Sequence, residues 1–180
     1  TVTAVTGLPA SQVTVHTTYL GGGLGRKIEQ DYIAQAIQVA KAVGKPVKLM
    51  WTREEDFSRD QYRPMALIRG RAGLDSSGNI VSWLYRNVSP SILAQRGRVL
   101  PATGDSQATE AATALPYNFG ACTTEYVVHP SPVPIGFWRS VGASLNTFAV
   151  ESMMDELAQF AGEDPYQFRR NRLMILEQKR

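Results

Sequence analysis

The run Gly21-Gly-Gly-Leu-Gly-Arg-Lys27 contains four glycines in five positions and joins two different sequence patterns. Before it, residues 13–18 alternate apolar and polar side chains, which predicts a half-buried strand. After it, apolar residues recur at helical spacing from Ile28 to Val43, and Gly44 follows as a helix stop. Glycines at such a junction allow a close backbone approach, and a helix N-terminus presents free N–H groups to an anion. The run therefore predicts an anion-binding corner between a strand and a helix.

Two common nucleotide-binding loops do not fit this glycine run. A dinucleotide fingerprint needs a glycine where Arg26 or Ile28 stands, and a P-loop needs Ser or Thr directly after Lys27. A plain tight turn is the alternative, because glycine clusters commonly serve turn geometry. A second stretch, residues 134–142, supports a functional interpretation, since it carries Gly and Arg just ahead of another long helical pattern. We expect the two corners to close on one ligand from two sides.

Four stretches together resemble the molybdopterin-binding domain of the xanthine dehydrogenase and aldehyde oxidase family. The glycine run is similar to the GGGFG signature of that family. The resemblance extends over Trp51–Phe57, Gly136–Gly142 and Glu151–Leu157, in the order of the family and over nearly the whole chain. In detail it is greatest to the large (beta) subunits of the isoquinoline 1-oxidoreductase type and to similar bacterial aldehyde and N-heterocycle dehydrogenases.

The resemblance implies a site for a molybdenum–molybdopterin cofactor. The implied cofactor-binding residues are Gly22, Gly23, Leu24, Gly25, Arg139 and Ser140, and the implied substrate-pocket residues are Phe137, Trp138 and Val141. None of them is expected to ligate the metal directly. By spacing alone, Arg139 could instead be a buried arginine that satisfies carbonyls of a proline-rich turn, and the two aromatic residues could be core packing.

Several positions depart from the family pattern. Leu24 stands where the family usually has Phe, so a backbone contact to the cofactor is retained and a ring contact is not. Ile28 and Val141 replace a glutamate and a stacking Phe of the purine-oxidising members, which argues against a purine substrate. The catalytic base of the family, a glutamate of a second molybdopterin domain, has no counterpart before Arg180. We therefore expect no catalytic residue in this chain, and no activity from it alone.

The resemblance implies a parent oxidoreductase that hydroxylates an N-heteroaromatic compound or oxidises an aldehyde with water as oxygen donor. The cytosine dinucleotide form of the cofactor is the one expected. Two alternatives remain open: a non-catalytic or degenerate pterin-binding module, which Leu24 and Ile28 favour, and an unrelated anion-binding α/β module.

Composition restricts the partners. A formal net charge of +3 is too small to indicate nucleic-acid or membrane binding. Cys122 is the only cysteine, so an iron–sulfur cluster cannot be ligated here. Together with the single cysteine, the resemblance implies that electrons leave through a separate small [2Fe–2S] subunit. No apolar run approaches the roughly 20 residues of a membrane span, and the sequence leaves open whether the parent is cytoplasmic or periplasmic in a bacterium.

The 180 residues suit one domain, or one domain with two small lobes, and 43% of them are hydrophobic, which suffices for a core. Residues 1–7 resemble the end of a helix capped by Gly7. We expect a single continuous molybdopterin-binding domain over residues 1–180, cut from a larger chain that supplies the remaining domains.

Other patterns predict individual elements. Strands are predicted at residues 46–51, 65–74, 80–88 and 121–128, with a hairpin connection at 75–79. Thr52 should cap a short helix, Ser144 or Asn146 should cap a longer one, and residues 164–176 should form the last helix with Pro165 at its first position. Residues 89–115 read as a long functional or mobile loop.

Two helix faces are also predicted. The apolar face of the long helix should consist of Leu145, Phe148, Ala149, Met153 and Phe160. A solvated basic face is expected at Arg169, Arg170, Arg172, Lys179 and Arg180. Because helices and strands interleave, we predict an α/β (mixed α+β) fold, a mixed sheet with flanking helices, of the first molybdopterin-binding domain type by its resemblance.

Overall fold

The computed structural model describes residues 1–174, which belong to two compact units. Unit 1 contains Thr1–Arg63 and Pro134–Arg139. Unit 2 contains Pro64–Val133 and the chain from Ser140 onward. Within the described range, no helix is both long and apolar enough to cross a membrane.

Unit 1 is mostly helical. Its elements are α1 (Val2–Thr6), a 3₁₀ turn (Ala10–Gln12), a second 3₁₀ turn (Arg26–Ile28), α2 (Asp31–Val43) and α3 (Arg53–Arg59). Gly7 and Gly44 end α1 and α2 in the left-handed conformation, with φ of 77° and 66°, which confirms both predicted stops. The Thr52 hydroxyl accepts a hydrogen bond from the Glu55 N–H at 3.3 Å, so the predicted cap of α3 is confirmed.

Two predicted strands of unit 1 are wrong. Residues 13–18 and 46–51 do not form strands. Alternation of apolar and polar residues is not sufficient, because a strand also needs a neighbour for its backbone N–H and C=O groups. The helix predicted directly after the glycine run also begins later than expected. A 3₁₀ turn occupies Arg26–Ile28, and α2 starts only at Asp31.

Unit 2 is built on a three-stranded sheet in the order β1-β2-β3, comprising β1 (Leu67–Leu74), β2 (Ile80–Ser89) and β3 (Ala121–Val128). β1 pairs with β2 antiparallel and β2 pairs with β3 parallel, so the predicted mixed sheet is confirmed. The Asp75 carboxylate closes the β1–β2 connection by accepting from the N–H groups of Ser77 (2.9 Å) and Asn79 (2.8 Å).

The core of unit 2 lies between the sheet and its helices, which are α4 (Ile92–Gln95), α5 (Ala143–Ala161) and α6 (Pro165–Arg172). The buried cluster consists of Ile80, Trp83, Tyr85, Ala112, Tyr117, Val150, Met154, Leu157, Ala158 and Phe168. The segment 89–115, which has a weak sequence pattern, contributes Ala112 to this cluster and also buries Ile92 and Asp105. It is therefore part of the packed unit.

The predicted apolar face of α5 is only partly correct, because Ala149 and Met153 are half-buried and pack against the core cluster of unit 2 but other members of the face do not. Phe148 and Phe160 are 76% and 82% exposed. The buried stripe is Asn146, Val150, Met154, Leu157 and Ala158. Hydrophobic periodicity does not predict this stripe, because one of its members is a polar asparagine. The burial of that asparagine depends on hydrogen bonds that only the folded chain supplies.

The predicted start of helix α6 is confirmed, and its predicted end is wrong. The Asp164 carboxylate accepts from the N–H groups of Tyr166 and Gln167 at 3.0 and 3.1 Å, and Pro165 follows as the first helical residue. The helix ends at Arg172, and residues 175 and 176 of the predicted helix lie outside the described residues.

The solvated basic face is only partly correct. Arg172 is 7% exposed and pairs with Glu163 at 2.8 Å. Arg169 pairs with Glu151 and Asp155, both at 2.7 Å. Arg170 is exposed as expected. Lys179 and Arg180 lie outside the described residues.

Candidate functional site

The glycine run of unit 1 has an open side and a packed side. A Cβ atom added to Gly21 or Gly22 would meet no other atom within 4 Å. A Cβ atom added to Gly25 would overlap the carbonyl group of Phe137 and lie 2.9 Å from the Trp138 nitrogen. Gly25 also has a φ of 96°, which side chains rarely allow. The first corner and residues 137–138 are therefore in backbone contact at Gly25, while Gly21 and Gly22 have open space beside their backbone.

Left-handed backbone conformations are concentrated at predicted site residues. Among residues 1–174, four non-glycine residues have positive φ: Leu24 (48°), Ala111 (62°), Ser140 (67°) and Val141 (41°). This conformation is uncommon for any residue with a Cβ atom and is unfavourable for a β-branched one such as Val141. Such strain persists only where the surrounding structure enforces it, and it is enriched at ligand sites. Three of the four positions belong to the site predicted from the sequence.

Arg26 organises the first corner. Its guanidinium donates to both carboxylate oxygens of Asp31 at 2.9 Å, forms an ion pair with Asp60, and lies over the rings of Tyr32 (5.7 Å) and Trp51 (5.5 Å). Burial opposes ionisation of Asp31, but the hydrogen bonds from Arg26 and the Tyr32 N–H outweigh it and lower the pKa of Asp31. Two carboxylates compensate the charge of Arg26, so this side chain holds the loop and is not placed to bind an anion.

Residues 61–63 hold the second corner in unit 1. Tyr62 and Ile135 form a parallel bridge, in which the Tyr62 N–H donates to the Pro134 carbonyl at 2.9 Å and the Gly136 N–H donates to the Tyr62 carbonyl at 3.0 Å. A Cβ atom on Gly136 would lie 2.5 Å from the Gln61 Cβ atom, so only glycine allows this approach. The proline-rich lead-in thus acquires a fixed path beside the 61–63 segment.

The aromatic and basic residues of this corner are at the surface of unit 1. Trp138 is 47% exposed; its indole N–H donates to the Gln61 carbonyl at 3.0 Å and the guanidinium of Arg63 lies 5.5 Å from its ring centroid. Arg63 also donates to the Arg139 carbonyl at 3.1 Å. Phe137 is half-buried and Arg139 is exposed. Trp138 is therefore not a core residue, and Arg139 is not the buried arginine of the alternative interpretation.

The remaining predicted residues, Ser140 and Val141, belong to unit 2, just before α5. The Ser140 and Ser144 hydroxyls are hydrogen-bonded to each other. Gly142 is the N-cap and makes no side-chain cap, so the predicted caps at Ser144 and Asn146 are wrong. The reason is that α5 begins at Ala143, which places both residues inside the helix.

Asn146 is instead the centre of a buried hydrogen-bond network in unit 2. Its Oδ1 accepts from the Tyr85 hydroxyl (2.8 Å) and Asn87 Nδ2 (3.0 Å), and its Nδ2 donates to the carbonyls of Ala108 and Glu110, both at 2.8 Å. Burial raises the pKa of Tyr85, which therefore stays protonated as a donor. The network ties β2 and the 108–110 segment to the first turn of α5.

The sequence contained one signal for this network. Asparagine is unfavourable inside helices, because its side chain competes with the backbone for hydrogen bonds. An asparagine within an otherwise apolar helical run therefore indicates a buried partner. The partners themselves come from β2 and a loop, and no local pattern identifies them.

The family profile for the molybdopterin cofactor-binding domain matches residues 1–173. The chain is 27% identical over 171 residues to isoquinoline 1-oxidoreductase subunit beta of Brevundimonas diminuta, which covers 92% of this chain and 22% of that protein. It is 31% identical over 168 residues to the xanthine dehydrogenase molybdenum-binding subunit of Escherichia coli O157:H7, covering 90% and 21%.

The fold is also similar to a solved structure. Quinoline 2-oxidoreductase from Pseudomonas putida 86 superposes with a TM-score of 0.72 and 21% identity over 88% of this chain and 20% of that one. The chain thus spans about a fifth of the length of these proteins. The predicted mixed α/β fold and the resemblance to molybdenum hydroxylases are confirmed, and the chain belongs to the molybdopterin cofactor-binding domain family.

Proposed function

We propose that the glycine run, together with Arg139 and Ser140, holds the molybdenum–molybdopterin cofactor in a molybdenum hydroxylase large subunit. The observation that carries this proposal is the left-handed backbone at Leu24, Ser140 and Val141. Each of these residues carries a side chain in a conformation that favours glycine; the resemblance assigns Leu24 and Ser140 to the cofactor site and Val141 to the substrate pocket beside it. A tight turn would need only one glycine at such a position, and it would not explain strain in both stretches.

The residues present fit this cofactor. The open backbone at Gly21 and Gly22 leaves room for a large planar ligand, and the closure at Gly25 fixes the loop that presents it. Gly22, Gly23 and Leu24 would contact the cofactor through the backbone, and Gly25 would keep them in place. Arg139 would supply the cation for an anionic group, because a guanidinium presents several donors in a rigid plane. When bound, the cofactor supplies two-electron redox chemistry with water as the source of oxygen.

The parent enzyme is an oxidoreductase in this proposal, and its substrate is an N-heteroaromatic compound or an aldehyde. The isoquinoline and quinoline enzymes named above support the first class. Phe137, Trp138 and Val141 would line the substrate pocket. Ile28 is 62% exposed and carries no charge, so it gives a purine no hydrogen-bond partner. The expectation that purines are poor substrates stays a prediction.

The other parts of the enzyme are proposed from the resemblance to the family. We propose a catalytic glutamate on a further domain of the parent chain and an electron-accepting [2Fe–2S] subunit, because a single cysteine cannot ligate a cluster. The cytosine dinucleotide form of the cofactor is the one proposed. The single-domain organisation over residues 1–180 and a cytoplasmic or periplasmic location in a bacterium also remain proposals.

A second candidate is a non-catalytic pterin-binding module. The exposed Leu24, at 68% of its surface, favours it, because no aromatic ring is available there to pack on a cofactor. The two candidates predict different molybdenum contents. A catalytic domain requires molybdenum in the purified enzyme, and a module that binds pterin alone does not.

The test is to replace Arg139 by methionine in the enzyme that contains this domain and to measure molybdenum and pterin per protein. We expect both to fall about tenfold or more, because a charge-assisted contact contributes roughly 1.5–3 kcal/mol. Arg98→Met is the matched control, since Arg98 is an exposed arginine in the loop that follows α4. Equal molybdenum in both variants would contradict the assignment of Arg139. A wild-type enzyme with pterin and no molybdenum would support the second candidate.

A further inference from the structure

The Asn146 network leaves one buried oxygen atom without a donor. Asn87 is 1% exposed, and its Nδ2 donates to the Ala108 carbonyl at 3.0 Å and to Asn146 Oδ1 at 3.0 Å. These two acceptors fix the orientation of the amide, because a flipped side chain would place oxygen against oxygen. Asn87 Oδ1 therefore points away from the network, and no group among residues 1–174 donates to it.

A second buried amide oxygen belongs to a residue that lines a cavity together with Asn87. Gln107 Oε1 likewise receives no donor from the described residues, and both Gln107 and Asn87 line a cavity of about 20 Å³ within unit 2. Val141, Gly142 and Leu145 line it from the start of α5. Leaving such acceptors unsatisfied costs about 1–3 kcal/mol each, so the pair needs a ligand that donates two hydrogen bonds.

The size and lining of the cavity restrict that ligand. A water molecule needs roughly 10–15 Å³ of such space and at least two polar partners. The lining also includes Asp105, whose two carboxylate oxygens already accept from the Ser91 hydroxyl (2.6 Å) and the Gln107 N–H (2.9 Å). Pro64, Ile92 and Leu145 make most of the remaining wall apolar, which disfavours a cation.

The geometry points to a structural water site in this cavity, where one water molecule donates to Asn87 Oδ1 and Gln107 Oε1. The water would connect β2 to the 105–109 turn directly beside Val141 and Gly142. It would thereby complete the Asn146 network. It would also support the left-handed backbone at Val141, where a valine occupies a conformation that favours glycine.

The test is a crystal structure of the enzyme that contains this domain, at a resolution that shows ordered water. We expect a density peak within about 2.7–3.2 Å of both amide oxygens. A cavity without density, or a Gln107 amide that donates directly to Asn87 Oδ1, would overturn the inference. Crystals soaked in rubidium distinguish a water molecule from a monovalent cation at this site. An anomalous peak from rubidium there would also overturn the inference.

A variant gives an independent readout. Gln107→Met keeps the length of the side chain and removes the acceptor, so the peak should be lost and the Thr109 amide should exchange with deuterium several-fold faster. Gln38→Met on the exposed side of α2 is the control and should change neither. Unchanged density and unchanged exchange in Gln107→Met would show that the oxygen of Gln107 does not hold the water.

Discussion

Unit 1 and unit 2 are stabilised in different ways. Of the twelve buried hydrophobic residues among residues 1–174, Ile135 belongs to unit 1 and the other eleven to unit 2. Unit 1 relies on backbone contacts at Gly25 and Gly136 and on the ion pairs of Arg26. Unit 2 combines a closed apolar cluster with the Asn146 network.

The difference assigns different tasks to the two parts of the candidate site. The glycine run lies in a unit with few buried side chains, where the shape of the loop depends on residues that permit close approach. Ser140 and Val141 lie in the unit that contains the buried cluster, and both have an unfavourable backbone conformation. Substitutions should therefore act through main-chain geometry in unit 1 and through buried side chains in unit 2.

The largest effect is expected for Gly25→Ala in unit 1. The new methyl group would overlap the Phe137 carbonyl at a φ of 96°, so the loop must move, at a cost of about 3 kcal/mol or more. We expect molybdenum content to fall to background and the amides of residues 22–28 to exchange faster with deuterium. Gly44→Ala is the control, because it has a φ of 66° and open space around it, and it should cost only about 1 kcal/mol. Equal effects of the two variants would show that the contact at Gly25 is unimportant.

A similar but smaller effect is expected for Asn146→Leu in unit 2. This variant keeps the side-chain volume but removes the partner of the Tyr85 hydroxyl and the Glu110 carbonyl, while the Ala108 carbonyl keeps only Asn87 Nδ2, so it should destabilise unit 2 by about 3 kcal/mol. Exchange protection in β2 and the first turn of α5 should fall, while α2 in unit 1 should keep its protection. Asn118→Leu on the surface is the control. Loss of protection in both units would show that the two are not separable in stability.

The smallest effect is expected for Glu163→Gln, and it depends on pH. Hydrogen bonds from Arg172 are the main cause that lowers the pKa of Glu163 from its ordinary 4.5; burial opposes this effect, and the attraction of the Arg172 charge adds to it. A carboxylate with a lowered pKa in the folded state stabilises fully above its unfolded-state pKa, and this contribution is lost as pH falls through the folded pKa. The difference in unfolding midpoint between wild type and Glu163→Gln should therefore be constant at about pH 6–8, begin to shrink as the pH falls towards the unfolded-state pKa, and be lost only below the folded-state pKa. A difference that is as large at about pH 2 as at about pH 7 would contradict the role of the charged pair.

Local sequence signals determined several elements of this protein. The αL stops at Gly7 and Gly44, the caps at Thr52 and Asp164 and the hairpin at Asp75 all depend on residues next to each other in the chain. Such interactions are complete within a few residues, so their patterns predict them. The glycine run and the 136–142 stretch likewise identified the family, because their order along the chain is itself the signal.

Tertiary structure decided the features that depend on distant partners. Residues 13–18 alternate as a strand does, but they acquire no neighbour and form none. The buried face of α5 follows Asn146, whose four partners lie 36 to 61 positions away in the sequence. The contact of Gly25 with Phe137 spans more than 100 positions, although each stretch was recognisable alone. Periodicity records which side chains are apolar, whereas burial also depends on whether polar groups find partners, and only the folded chain provides those.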